Sequence, residues 1–257
     1  MPSATEIATF ADALLQSKTV PDYPFAFNGL QVDTPAHVSK IAAAVDFSAR
    51  TVAETRRRDA QLLVVHHGAF WQGAQPIVGR RYQLLAGVLR DSIGVYSAHL
   101  PLDCHESIGN NALLAKRVGL RVAGGFAPVN GIPIGVMGES TDSLESLIAT
   151  VSAFAAGHGG ALRVTTHAAN RTVGRWAMCT GSGANSETLT EAVERGVRTL
   201  IVGEGPHWTS VFAEDHDIVI LYAGHYATET LGVQALAAEI AKQFRIDWEF
   251  IAAPTGS

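Results

Sequence analysis

Apolar and polar positions alternate along this chain in two rhythms. Short apolar runs, "KIAAAVDFS" (40–48), "AQLLVVHH" (60–67), "IGVYSAH" (93–99), "VRTLIVGEG" (197–205) and "DIVILYAGH" (217–225), read as strands. Between them, "ARTVAETRRRD", "RRYQLLAGVLRDS", "GNNALLAKRVGL" and "NSETLTEAVERG" carry helical spacing. Strands alternating with helices at short intervals predict an α/β fold with a largely parallel sheet. An opening helix is predicted over 3–17, with Ser3 as cap and Glu6 completing a capping box, before Pro21 and Pro24. "FNGLQV" (27–32) then leads by a loop into a short strand, and the last helix is predicted over 228–244.

One stretch breaks the rhythm. After "FAPVNGIP" come a strand ("IPIGVMGES"), a helix ("SLESLIATVSAFAAG") and a strand ("ALRVTTH") before the first pattern resumes at "VGRWAMCTGSG". We read 127–172 as a smaller α/β module inserted into a layered α/β main domain formed by 1–126 and 173–257.

The chain's 257 residues are 47% hydrophobic, enough for one large core or two modest ones. A net charge of −5 carries no nucleic-acid footprint, and the "RRR" at 56–58, flanked by Glu54 and Asp59, reads as a solvated helix face. Cys104 and Cys179 form no CxxC spacing, which fits a reducing compartment. Without a signal-peptide pattern or a membrane-length apolar run, the expectation is a cytoplasmic protein.

The chemistry gathers where strands end, which is where open α/β sheets bind ligands. "QLLVV" ends in His66 and His67; "IGVYSA" ends in His99, with Asp103 four residues on; "VRTLIV" leads to Glu204 and His207; "DIVILYAG" ends in His225, with Glu229 four residues on. His225 and Glu229 lie one turn apart if a helix begins near Tyr226. Adjacent strand residues face opposite ways, so His66 and His67 share a site only if the strand has already ended and the backbone turns at Gly68. Any one of these histidines alone reads as an ordinary hydrogen bonder, and Glu229 alone as a helix-start carboxylate. Together, on strands expected to be neighbours, they predict a metal site. Imidazoles and carboxylates without a thiolate suit zinc, iron, manganese, cobalt or nickel, and disfavour calcium. Six candidate ligands, His66, His67, His99, Asp103, His225 and Glu229, exceed one tetrahedral ion and suit two divalent ions sharing a bridging carboxylate.

Weaker signals surround this group. Trp71 and Trp208 follow candidate segments as pocket walls or plain packing. "TGSGANSE" (180–187) is a Gly-rich turn of the kind that holds anions, without a P-loop lysine. Asn28 reads as a turn residue, and His37, His105, His158, His167 and His216 as ordinary loop histidines.

"NGLQV", "VVHHGAFW", "YSAHLPLD" with "GNNALLA", "TGSG", "VGEGPHW" and "AGHYATETLGVQALA" together resemble the Nif-three-like proteins, whose bacterial members are labelled GTP cyclohydrolase 1 type 2 homologues. The resemblance implies a di-metal centre held by His66, His67, Asp103, His225 and Glu229, with His99 at or beside the metals. It also implies two α/β domains, one inserted in the other, and a ring-shaped homohexamer. The expected activity is a metal-dependent hydrolase that opens the imidazole ring of GTP, with His99, Glu204 or His207 moving protons. The alternative is a metal carrier or scaffold without turnover.

Overall fold

The computed structural model describes residues 1–71 and 73–256. The chain divides into two compact units, residues 1–102 with 232–253, and residues 103–231 with 254–257.

The first unit opens with α1 (Ala4–Leu15), β1 (Gly29–Val32), β2 (Lys40–Asp46), α2 (Ala49–Arg57), β3 (Leu62–His67), α3 (Gly79–Arg90) and β4 (Gly94–Ser97). Ser3 caps α1 as predicted: its hydroxyl accepts from Glu6 N at 3.2 Å, and the Glu6 carboxylate accepts from Ser3 N at 2.8 Å. A four-residue helix, α4 (Leu100–Asp103), carries the chain into the second unit.

There follow α5 (Asn110–Arg117), β5 (Gly124–Val129), β6 (Ile132–Ser143), α6 (Leu144–Gly157), β7 (Arg163–Val164), β8 (Thr172–Cys179), α7 (Ser186–Glu194), β9 (Thr199–Val202), α8 (Trp208–Asp215), β10 (Val219–Tyr222) and α9 (His225–Thr228). Helix α10 (Thr230–Phe244) returns to the first unit, where β11 (Asp247–Phe250) closes the sheet.

The first unit's sheet runs β1-β4-β3-β2-β11, with β4, β3, β2 and β11 parallel and β1 antiparallel at the edge. Leu62 to Val65 are fully buried, so both faces of β3 are covered. Leu63, Val65 and Val95 join Val52 of α2 and Val88 of α3 in one core cluster. On Tyr96, α1 supplies Asp12, whose carboxylate accepts from the phenol at 2.8 Å.

The second unit's sheet runs β5-β6-β8-β9-β10-β7 and is mixed: only β8, β9 and β10 are mutually parallel. Successive residues of β8 face opposite layers. Trp176 and Met178 pack with Leu114, Leu147, Val151 and Phe154 of α5 and α6, while Ala177 packs with Leu189 and Ala213 of α7 and α8.

Two expectations change here. The segment 127–172 is not a module of its own, because its strands β6 and β7 pair with β8 and β10 of the 103–231 unit. The four strands ending in candidate ligands are also not neighbours in one sheet. β3 and β4 pair in the first sheet, and β9 and β10 in the second. Local apolar runs reveal strands but not which runs pair. Among the described residues, no helix is long and apolar enough to cross a membrane.

Candidate metal centre

In the first unit, His66, His67 and His99 each offer one ligand atom, and these atoms lie within 4.8 Å of one another. The strand does not stop before the doubled histidine. β3 includes both residues as its last two, yet their ring centroids are 4.8 Å apart. Their hydrogen bonds draw them sideways in opposite directions. His66 Nδ1 meets Ala98 O, just beyond β4, at 2.8 Å; His67 Nδ1 meets Asp46 Oδ1, at the end of β2, at 2.9 Å. At Gly68 the backbone is packed closely by the Gln31 amide. A Cβ there would come within 2.7 Å of the Gln31 side-chain amide carbon, and Gln31 Oε1 accepts from Ala69 N at 2.7 Å.

His99 is held from the loop after α1. Its Nδ1 lies 2.9 Å from Asp22 Oδ1, and its backbone N donates to Asn28 Oδ1 at 2.7 Å. Asn28 in turn donates to Asp22 Oδ2 at 2.8 Å, so it is a brace and not merely a turn residue. Burial alone would raise the Asp22 carboxyl, but the hydrogen bond and charge of His99, with the Asn28 amide and the Tyr23 N–H, hold it below the usual range. Trp71 walls this pocket, its ring centroid 4.0 Å from that of His99 and 4.8 Å from that of His67.

In the second unit, His225 opens α9 and Glu229 follows its last turn, placing His225 Nε2 3.1 Å from Glu229 Oε2. Two donors about 2.0–2.2 Å from one cation adopt such a spacing. The other nitrogen, His225 Nδ1, lies 2.7 Å from Glu204 Oε1. Burial disfavours the charged imidazole, but Glu229 and Glu204 outweigh it and raise His225 to about 9. A cation bound at Nε2 would take the place of that proton. Asp103 is buried and accepts from Asn110 Nδ2 at 2.8 Å. Cys179 stands near both acids; burial first, then the charges of Asp103 and Glu229, push its thiol up to about 12, so it is a neutral thiol.

The "TGSG" turn approaches the His225–Glu229 pair closely. Thr180 N is spent on Asn111 Oδ1 and Gly181 N on Thr228 Oγ1. Gly181 has φ +63°, and a Cβ there would collide with Glu229 Oε1 and come within 3.3 Å of His225 Nε2.

Each predicted residue now has a place. The structure gathers His66, His67 and His99 in one unit, and His225 with Glu229 and Glu204 in the other. Glu204 orients His225. His207 is exposed at the start of α8, and Trp208 is 44% exposed, its ring against Phe212. Asp22 and Asp46 escaped the sequence reading, because nothing local marks a carboxylate as the partner of an imidazole 77 or 21 residues away.

The donors fit a divalent transition metal. In His66, His67 and His99 Nδ1 faces a carbonyl or carboxylate oxygen, which favours the proton there and Nε2 as the ligand atom; in His225 both ring nitrogens face carboxylates, so a metal at Nε2 would displace the proton shared with Glu229. Replacing Asp46 or Asp22 by Asn is therefore expected to weaken metal binding about 10–100-fold with the fold intact. Competition against a chromogenic chelator measures this, and wild-type affinity in both variants would refute the orienting role.

Comparison with known proteins agrees with this architecture. The family model for Duf34/NIF3 (NGG1p interacting factor 3) matches residues 2–255. A Pyrococcus abyssi protein named GTP cyclohydrolase 1 type 2 homolog is 35% identical over 258 residues, covering 98% of each chain. One of the same name from Deinococcus radiodurans is 33% identical over 240 residues, covering 90% of this chain and 86% of its own. Among solved structures, protein ybgI, described as of unknown function, superposes with a TM-score of 0.89 at 32% identity over all of both chains. TTHA1606 from Thermus thermophilus gives 0.84 at 32% identity, again over all of both chains. The chain belongs to the Duf34/NIF3 family.

Proposed function

We propose that this chain is a di-metal-dependent hydrolase of the GTP cyclohydrolase 1 type 2 kind, with His66, His67, His99, Asp103, His225 and Glu229 as its metal-binding residues. The carrying observation is that His66, His67 and His99 are each tied through Nδ1 to a carbonyl or carboxylate, with ligand atoms within 4.8 Å of one another, which supports Nε2 as the metal-binding atom. The buried carboxylates of Asp103 and Glu229 add the negative charge that two divalent cations require. Divalent ions of the zinc, iron, manganese, cobalt or nickel type acidify water and polarise a substrate oxygen near neutral pH.

The chain's own residues do the rest. Asp22, Asp46 and Glu204 hold the rings, and the indole of Trp71 packs beside His67 and His99. Glu204, with its side chain 49% exposed, is placed to exchange a proton between His225 Nδ1 and solvent. The reaction read for GTP opens the guanine imidazole ring and releases C8 as formate. Family membership supports a further part of the proposal, assembly of the 27.2 kDa chain into a ring-shaped hexamer, which light scattering checks directly.

Formate release from GTP by the metal-loaded protein tests the reading. Wild type is expected to release one formate per GTP, and the His66→Ala, Glu229→Ala double variant none. Equal, background-level release from both would sink the hydrolase reading. Stoichiometric metal without turnover would make the chain a carrier.

A further inference from the structure

Beside the histidine cluster of the first unit lies a cleft of about 360 Å³, lined among others by Phe47, Gly68, Trp71, Arg80, Arg81 and Leu84. Two features tie it to the cluster. Gly68 directly follows His67, and Trp71 forms the shared wall, since the ring that lines the cleft also stands 4.0 Å from His99 and 4.8 Å from His67, centroid to centroid.

The cleft is apolar along Phe47 and Leu84 and cationic at Arg80 and Arg81. Arg81 is fixed: its Nη2 donates to Ala69 O at 3.0 Å, and its guanidinium carbon stands 5.4 Å from the Phe70 ring centroid. Arg80 is exposed and also lines the adjoining groove of about 420 Å³. There Arg56 and Asp91 are 3.6 Å apart and offset each other's charge. Among the described residues, neither Arg80 nor Arg81 has a carboxylate within ion-pair distance. The acid closest in sequence to the lining residues, Asp46, is engaged with His67. Two arginines on one wall without counter-charges fit an anion with several oxygens, which guanidinium recognises by paired hydrogen bonds.

We propose that this cleft is an anion subsite for the phosphate tail of a nucleotide, with Arg80 and Arg81 as its cations and Trp71 separating the tail from the histidine pocket. It rests on the nucleotide reading of the metal centre only for the identity of what carries the tail. A phosphorylated substrate would thus be gripped by its tail while its ring reaches the histidines.

Titration calorimetry of the purified protein, with metal content measured alongside, tests this with three probes: inorganic tripolyphosphate, GTP and guanosine. Wild type is expected to bind tripolyphosphate and GTP. Arg80→Ala should weaken both about tenfold and Arg80→Glu more, with metal content and guanosine binding unchanged. Arg81→Lys should weaken both while keeping the charge, because it loses the planar fork. Tripolyphosphate binding that neither Arg80 variant alters, or none by wild type at millimolar concentration, would overturn the subsite. Arg80-dependent binding without formate release leaves the subsite standing and removes the hydrolase. Formate release with Arg80-independent binding does the reverse.

Discussion

Replacing Gly181 by alanine is expected to abolish metal binding by the proposed His225–Glu229 pair. The residue sits at φ +63°, where a side chain is strained, and the new Cβ would meet the Glu229 carboxylate head-on. Glu229 is only 3% exposed, so it has little room to swing aside. Its Oε2, now 3.1 Å from His225 Nε2, would be displaced from the donor pair. Disturbing a ligand's hydrogen-bond partner alone costs about 10–100-fold in affinity, so displacing the ligand itself should cost more than about 100-fold. The strained backbone adds about 1–3 kcal/mol of lost stability. Metal analysis after dialysis, with Ser182→Ala at the exposed neighbouring position as control, measures the effect. Full metal content in Gly181→Ala would refute both the close approach and the ligand role of Glu229.

Trp176→Ala is expected to be the most destabilising single change in the core of the second unit. Trp176 is fully buried and lies in register with Gly138 on β6; a Cβ on Gly138 would come within 2.8 Å of the indole. The indole thus fills space that a neighbouring strand leaves bare. Removing it leaves a cavity bounded by both β-strands and α6, at a cost of about 3–5 kcal/mol. That is a large share of the ~5–15 kcal/mol that holds a typical domain folded. Trp176→Phe should cost much less, because the indole Nε1 has no hydrogen-bond partner to lose among the described residues. Urea midpoints of the two variants provide the measurement. Equal midpoints would show that ring volume is not what stabilises this layer.

The sequence made some of this legible for definite physical reasons. β3 and its neighbours are readable because strands buried on both faces are written as unbroken apolar runs, and α1 because Ser3 and Glu6 form a local cap. The ligand candidates are readable because they stand where such runs stop. What escaped depends on pairing at a distance. Nothing in "TLIV" or "VILY" tells which sheet receives it, and nothing in "PDYPFAFN" tells that Asp22 and Asn28 close on His99. The glycines of "TGSG" suggested a cradle for an anion, but the bareness of Gly181 makes room for Glu229 and that of Gly183 for the Cys179 carbonyl.

The doubled histidine has one more consequence. Leu62, Leu63, Val64 and Val65 are equally buried, so sliding β3 by one residue would exchange one apolar side chain for another on either face. The hydrophobic run cannot by itself punish such a slip. The two imidazoles can. Displaced by one position, His67 would forfeit Asp46 and His66 would forfeit the Ala98 carbonyl; for the fully buried His66 the unmet polar group costs about 1–3 kcal/mol, and for the partly exposed His67–Asp46 pair less. The pair proposed as metal ligands is also the alignment mark of its own strand.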